Sequence, residues 1–86
     1  MTEVDWLQGA GQRFLDALEE CPAEVQNAFF KQSRLLLQNL RHPSLRAKKY
    51  DAAKDLWQAR VTRGWRFYFR IEGDAYRLHT IIPHPK

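Results

Sequence analysis

Residues 56 to 86 read LWQARVTRGWRFYFRIEGDAYRLHTIIPHPK, three strand-length runs in which aromatic and branched residues alternate with arginines. Successive side chains of a strand point to opposite faces, so this pattern predicts an antiparallel sheet with one apolar face and one cationic face. Turn lengths set the register. A three-residue Thr62-Arg63-Gly64 loop, with Gly64 at positive φ, sets Val61 opposite Trp65, Ala59 opposite Phe67 and Trp57 opposite Phe69. A two-residue Arg63-Gly64 turn would oppose Val61 to Arg66 and Trp57 to Arg70, mixing core with solvent, so the longer loop is expected. A Gly73-Asp74 turn then pairs Ile71 with Tyr76, Phe69 with Leu78 and Phe67 with Thr80. On the other face Arg60 meets Arg66, Tyr68 meets His79 and Arg70 meets Arg77, with Gln58 beside Tyr68.

Like charges directly opposed in a sheet are destabilising. Two such arginine pairs therefore suggest a polyanion partner. The ordinary alternative is that arginine stems lie over apolar surface while their heads stay in water.

The distribution of charge points the same way. Residues 1 to 40 hold three Lys or Arg against six Asp or Glu, a net −3, while residues 41 to 86 hold eleven against four, a net +7. A sequence pI near 9.6, with the excess in one half, suits a nucleic-acid binder. With 86 residues the chain is expected to form a single domain spanning 1–86. Cys21 is the only cysteine, which rules out an internal disulfide or a cysteine-rich metal site and suits a reducing cytoplasm. No signal-like N-terminus and no run approaching a membrane span is evident, so neither export nor a membrane partner is expected. Three histidines without ligand spacing argue against a metallonuclease, and no cofactor is predicted.

Upstream, Thr2 to Leu7 alternates weakly and predicts a short first strand before the Gly9-Ala10-Gly11 break. Gln12 to Glu20 places Phe14, Leu15 and Leu18 on one helical face. A second helix is expected from Pro22 to about Leu40, with Val25, Phe29, Leu36 and Leu40 as its apolar stripe and Ala28 and Leu37 alongside. Arg41-His42-Pro43-Ser44 ends it. Leu45 to Tyr50 reads as a basic connecting loop across the open face of the sheet. The predicted class is α+β, a two-helix hairpin packed on a small twisted antiparallel sheet in the order β-α-α-β-β-β.

Four segments carry a likeness: HPSLRAKKYD at 42 to 51, LWQARV at 56 to 61, GWRFYF at 64 to 69 and IIPHPK at 81 to 86. They resemble the Pro-containing basic loop, the hydrophobic and basic strand, the Gly-aromatic-Arg hairpin exit and the final strand of the RelE/ParE toxin superfamily. In RelE-like members the resemblance implies a ribosome-dependent endoribonuclease that cuts mRNA without metal and is held inactive by a cognate antitoxin. In ParE-like members it implies a non-enzymatic toxin directed at DNA gyrase. A degenerate module that only binds antitoxin or RNA is the third expectation. Arg66 matches the phosphate-stabilising arginine of the hairpin exit, Arg60 a basic residue of the preceding strand, Lys48 or Lys49 the loop lysines, and His84 the basic or histidine position closing the last strand. Gln58 stands where RelE has a second lysine. The sequence ends at Lys86, without the C-terminal helix and tyrosine of several members, and Tyr68 offers a replacement aromatic.

Metal-free RNA cleavage needs a base for the 2′-hydroxyl, cations for the phosphorane and an acid for the 5′-oxygen. His84 is the expected general acid or base, with His79 second, because histidine alone titrates near neutrality. Arg60 and Arg66 would clamp the phosphate. Arg46, Lys48, Lys49, Arg70, Arg77 and Lys86 would contact the flanking backbone, and Tyr68 or Tyr50 would stack on a base. Trp57, Trp65, Phe67 and Phe69 are assigned to the core.

Overall fold

The computed structural model describes residues 11–73 and 75–84. The strand expected over Thr2–Leu7, Asp74 of the second turn, and Lys86 lie outside the described residues. Two helices, α1 (Gln12–Glu19) and α2 (Ala23–Gln38), precede a 3-10 turn at Pro43–Leu45 and four strands: β1 (Lys48–Asp51), β2 (Leu56–Thr62), β3 (Trp65–Glu72) and β4 (Ala75–Pro83). The strands form one antiparallel sheet in the order β1-β2-β3-β4. The class is α+β.

The helices form where the sequence predicts them. α1 buries Phe14 and Leu18, and α2 buries Val25, Phe29 and Leu36. Pro22 sits just ahead of α2 rather than inside its first turn, and the helix stops at Gln38 because Asn39 is already extended. Between Phe29 and Leu36 the buried face also includes Gln32 and Ser33, two polar residues the expected stripe omits. Ser33 Oγ donates to the Phe30 carbonyl at 2.7 Å, a local bond that satisfies the hydroxyl inside the helix. The core is aromatic: Phe29 lies 5.2 Å from both Phe14 and Phe67, the latter edge to face, and Phe67 lies 5.6 Å from Phe69. Trp57 and Trp65 are half-buried against this cluster.

The expected pairings Trp57–Phe69, Ala59–Phe67, Arg60–Arg66, Ile71–Tyr76, Phe69–Leu78 and Arg70–Arg77 are all present. Two bulges alter the rest. At the first hairpin Thr62, not Val61, pairs with Trp65, and Val61 is the extra residue. The turn is therefore the two-residue Arg63-Gly64, and Gly64 does not occupy the left-handed region. The bulge removes the objection to the short turn, because it restores the apolar register from Ala59 onward. Thr62 Oγ1 accepts from the Gly64 N–H at 3.3 Å and helps close the turn.

The second bulge falls at His79. Tyr68 pairs with Thr80 and Phe67 with Ile81, so neither Tyr68–His79 nor Phe67–Thr80 forms. The extra residue lets Leu78 and Ile81, three apart, both face the core, where each is 3% exposed. An unbroken strand would send Thr80 inward and Ile81 outward, exchanging a buried branched hydrocarbon for a hydroxyl. Burial of an isoleucine side chain is worth about 1.5–3 kcal/mol, which decides the register.

The basic connector was expected to be a loop, and its second half is a strand. Lys48–Asp51 has no apolar alternation; its strand character comes from pairing with Leu56–Gln58. A lysine-rich edge strand also resists pairing with other chains.

Candidate nucleic-acid interface

The helices cover one face of the sheet and leave the face of Gln58, Arg60, Arg66, Tyr68 and Arg70. Directly opposed residues share a face, so Lys48, opposite Gln58, joins it, whereas Lys49, opposite Trp57, is directed to the other side. Lys49 there lies 5.2 Å from the Trp57 ring and pairs with Asp55.

The arginines divide into two groups by their partners. At one end Arg77 Nε donates to both carboxylate oxygens of Glu72, at 3.0 and 2.9 Å, and Arg70 Nε donates to the Lys54 carbonyl at 3.0 Å. These two arginines tie down the β3–β4 strand ends and the β1–β2 connection. At the other end Arg66 Nη1 donates to the carbonyls of Thr62 (2.8 Å), Arg63 (3.3 Å) and Trp65 (2.9 Å), fixing its guanidinium across the hairpin turn. Arg60, directly opposite Arg66, and Arg46 have no side-chain hydrogen bond or ion pair among the described residues. Burial together with the positive charges of Arg60 and Arg46 holds the Arg66 pKa below the ordinary arginine value, against an opposing effect of Tyr68. Arg60 and Arg46 therefore both act on Arg66, and among the described residues no carboxylate pairs with Arg46 or Arg60.

Arg46 reaches this position by a turn the connector motif did not reveal. It caps the 3-10 turn in a left-handed conformation, φ 47° and ψ 41°, which L-residues other than Asn and Asp seldom adopt. His42 Nδ1 accepts from the Ser44 N–H at 3.1 Å and caps the other end of the turn. The buried Gln32 carboxamide holds the turn to the sheet. Its Nε2 donates to the carbonyls of Ser44 (3.1 Å) and Arg60 (2.9 Å), and its Oε1 accepts from Ser44 Oγ (3.2 Å). Gln32 was missed as a site residue, although its spacing from Phe29 and Leu36 places a polar side chain in the buried stripe.

Tyr68 is not the exposed platform the alternation suggests. It is buried, and its hydroxyl accepts from Gln58 Nε2 at 2.8 Å. Among the described residues the exposed aromatic is Tyr50, 58% accessible, which stands edge-on to Tyr68 at 5.0 Å. Tyr50, Leu56, Tyr68, His79, Thr80 and Ile82 line a shallow groove of about 170 Å³ on this face. His79, at the bulge, is pushed below its ordinary pKa by burial and by Arg70, Arg13 and Lys54, so its ring favours the neutral form. His84 is exposed, and its backbone N–H donates to the Gly64 carbonyl at 2.8 Å. That bond brings the end of β4 beside the turn that Arg66 spans. Arg46, Arg60, Arg66 and the backbone of His84 thus gather at one end of the face; Arg70, Arg77 and His79 lie toward the other.

Among the described residues no group of three His, Cys, Asp or Glu side chains is arranged to hold a metal ion, and no helix is long and apolar enough to cross a membrane. No family profile, curated protein or solved structure matches the chain.

Proposed function

We propose that the chain is the toxin of a type II toxin–antitoxin system with a RelE/ParE-like fold, acting as a ribosome-dependent endoribonuclease on mRNA. One observation carries this reading: among the described residues Arg46 and Arg60 have no counter-ion and stand beside Arg66, at the end of a sheet face that the helices leave uncovered and that also carries the exposed Tyr50. Neighbouring guanidinium groups of like charge favour an anion between them, and planar guanidinium suits phosphate oxygens. The exposed ring of Tyr50 suits base stacking.

In this mechanism the 2′-oxygen attacks the adjacent phosphorus while the bond to the 5′-oxygen breaks, leaving a 2′,3′-cyclic phosphate and a 5′-hydroxyl. Arg60 and Arg66 neutralise the negative charge that grows on the phosphorane. His84, exposed beside the turn of Arg66, serves as general acid or base, and water makes the other of the two proton transfers, from the 2′-hydroxyl or to the departing 5′-oxygen. Lys48 and Arg46 hold flanking phosphates, and Tyr50 takes the stacking role. No metal or organic cofactor enters this scheme. A cognate antitoxin, acidic and partly disordered, would cover the cationic face.

A second reading is favoured by the bonds of Arg66, whose Nη1 is occupied by three backbone carbonyls. An arginine built into its own turn suits a ParE-like surface that binds DNA gyrase, or a module that only binds, without chemistry. Inducible expression of wild type beside Arg60→Ala separates the readings, with growth and the pulse-labelled synthesis of protein and DNA as readouts. Protein synthesis failing first, and restored by the substitution, is the expected result. Early failure of DNA synthesis would favour the gyrase-directed reading, and unimpaired growth a binding module.

A further inference from the structure

A second cationic space opens at the edge of the sheet, with no lining residue in common with the tyrosine groove. β1 pairs only with Leu56–Gln58, so among the described residues the edge of β2 beyond Gln58 carries no strand. The 3-10 turn and α2 bound the gap instead, enclosing an open cleft of about 390 Å³ whose lining includes Lys31, Gln32, Ser44, Arg46 and Arg60. Among the described residues three cations and no carboxylate line it. Lys31, Arg46 and Arg60 have no side-chain hydrogen bond or ion pair among the described residues.

The wall between these cations is fixed. Gln32, 4% exposed, donates to the carbonyls of Ser44 and Arg60 and accepts from the Ser44 hydroxyl. Both carbonyls that would otherwise present lone pairs near an anion are therefore bonded to an amide. Arg46 is held in the left-handed conformation at the mouth, a kind of backbone strain that persists where the surroundings over-determine it and that clusters at ligand sites. Three cations without a partner among the described residues, around a hydrogen-bonded polar wall, describe an anion site.

We propose that this cleft binds a phosphate group, held by Lys31 and Arg46 with Arg60 shared between it and the sheet face. The phosphate is that of the RNA nucleotide next to the one clamped by Arg60 and Arg66; the choice of RNA as its source rests on the function proposed above, while the anion chemistry does not. The strand would then leave the sheet face over the edge of β2 toward α2.

The test uses the full chain, isotopically labelled, in two arms. In the first, inorganic phosphate is titrated while NMR follows the Gln32 carboxamide and the Arg46 amide. In the second, binding of a short fluorescent single-stranded RNA is measured by anisotropy over a range of salt. Lys31 is exposed, so Lys31→Gln should keep the wild-type amide spectrum, which is checked first. The proposal expects saturable phosphate shifts at both groups, lost in Lys31→Gln. It also expects RNA binding several-fold weaker in that variant, with a log–log salt slope shallower by about 0.7, the loss of one single-strand phosphate contact. Lys31→Arg should restore both. RNA binding with an unchanged slope in Lys31→Gln, and no phosphate shifts, would overturn the cleft while leaving the Arg60–Arg66 reading intact. Phosphate shifts without RNA binding by the wild type would uphold the anion site and overturn RNA as its source.

Discussion

Gln58 and Tyr68 lie directly opposite on β2 and β3, and the Gln58 amide donates to the Tyr68 hydroxyl at 2.8 Å with both side chains below a tenth exposed. This bond turns the centre of an arginine-lined face into a second small buried layer, roofed by Tyr50. Tyr68→Phe leaves a buried amide donor without its acceptor, which costs about 1–3 kcal/mol. Urea unfolding should show a lower midpoint with an unchanged m-value, and Gln58→Leu in the same background should recover part of the loss.

Arg66 holds the β2–β3 turn as well as facing Arg60. Arg66→Ala should therefore lower stability, by about 1–2 kcal/mol, whereas Arg60→Ala, with no protein partner to lose among the described residues, should leave it unchanged or slightly raise it by relieving repulsion. Thermal unfolding of the two variants side by side checks this, and an equal loss in both would contradict the separation of roles.

Gln32 joins α2, the 3-10 turn and β2 through one carboxamide. Gln32→Leu keeps the volume but strands the Ser44 and Arg60 carbonyls, at a cost of about 2 kcal/mol. Hydrogen exchange should speed up in residues 43–47 before the sheet loses protection.

His79 sets the direction of one pH dependence. Its folded-state pKa lies below the ordinary value because of burial and then Arg70, Arg13 and Lys54. Above about pH 6.5 the ring is neutral in both states. As pH falls below that, the unfolded chain takes up the proton first, so stability declines until the folded-state pKa is reached and then stays level in this respect. His79→Asn should flatten that decline in urea midpoints measured between neutral and mildly acidic pH.

Cys21 is buried, its thiol donates to the Ala17 carbonyl at 3.3 Å, and burial followed by the charge of Glu20 raises its pKa. Alkylation at pH 8 should be slow in the folded protein and fast in denaturant, since the thiolate is the reactive form.

The two-period alternation of Leu56–Pro83 made the core legible: Ala59, Phe67, Phe69 and Leu78 are buried where alternation puts them. It failed at Val61 and His79, because a bulge is a local response to what must be buried several residues away. Leu78 and Ile81 demand the same face, and no residue near His79 announces the extra position. β1 was hidden for a different reason: KKYD carries no apolar periodicity, and its strand conformation comes from the backbone of β2. The cationic face was legible as composition but not as partnership. Sequence opposes Arg70 to Arg77 and Arg60 to Arg66 alike, yet the first pair is anchored by Glu72 and the Lys54 carbonyl, while the Arg60 side chain has no partner among the described residues.

The most direct measurement is to map the 5′ ends of a defined transcript undergoing cell-free translation with the purified chain, wild type against Arg60→Ala. The proposed function predicts internal breaks whose 5′-hydroxyl ends are labelled by polynucleotide kinase without prior phosphatase, present with wild type and absent with the variant. An intact transcript under wild type, or breaks ending in 5′-phosphate, would contradict it.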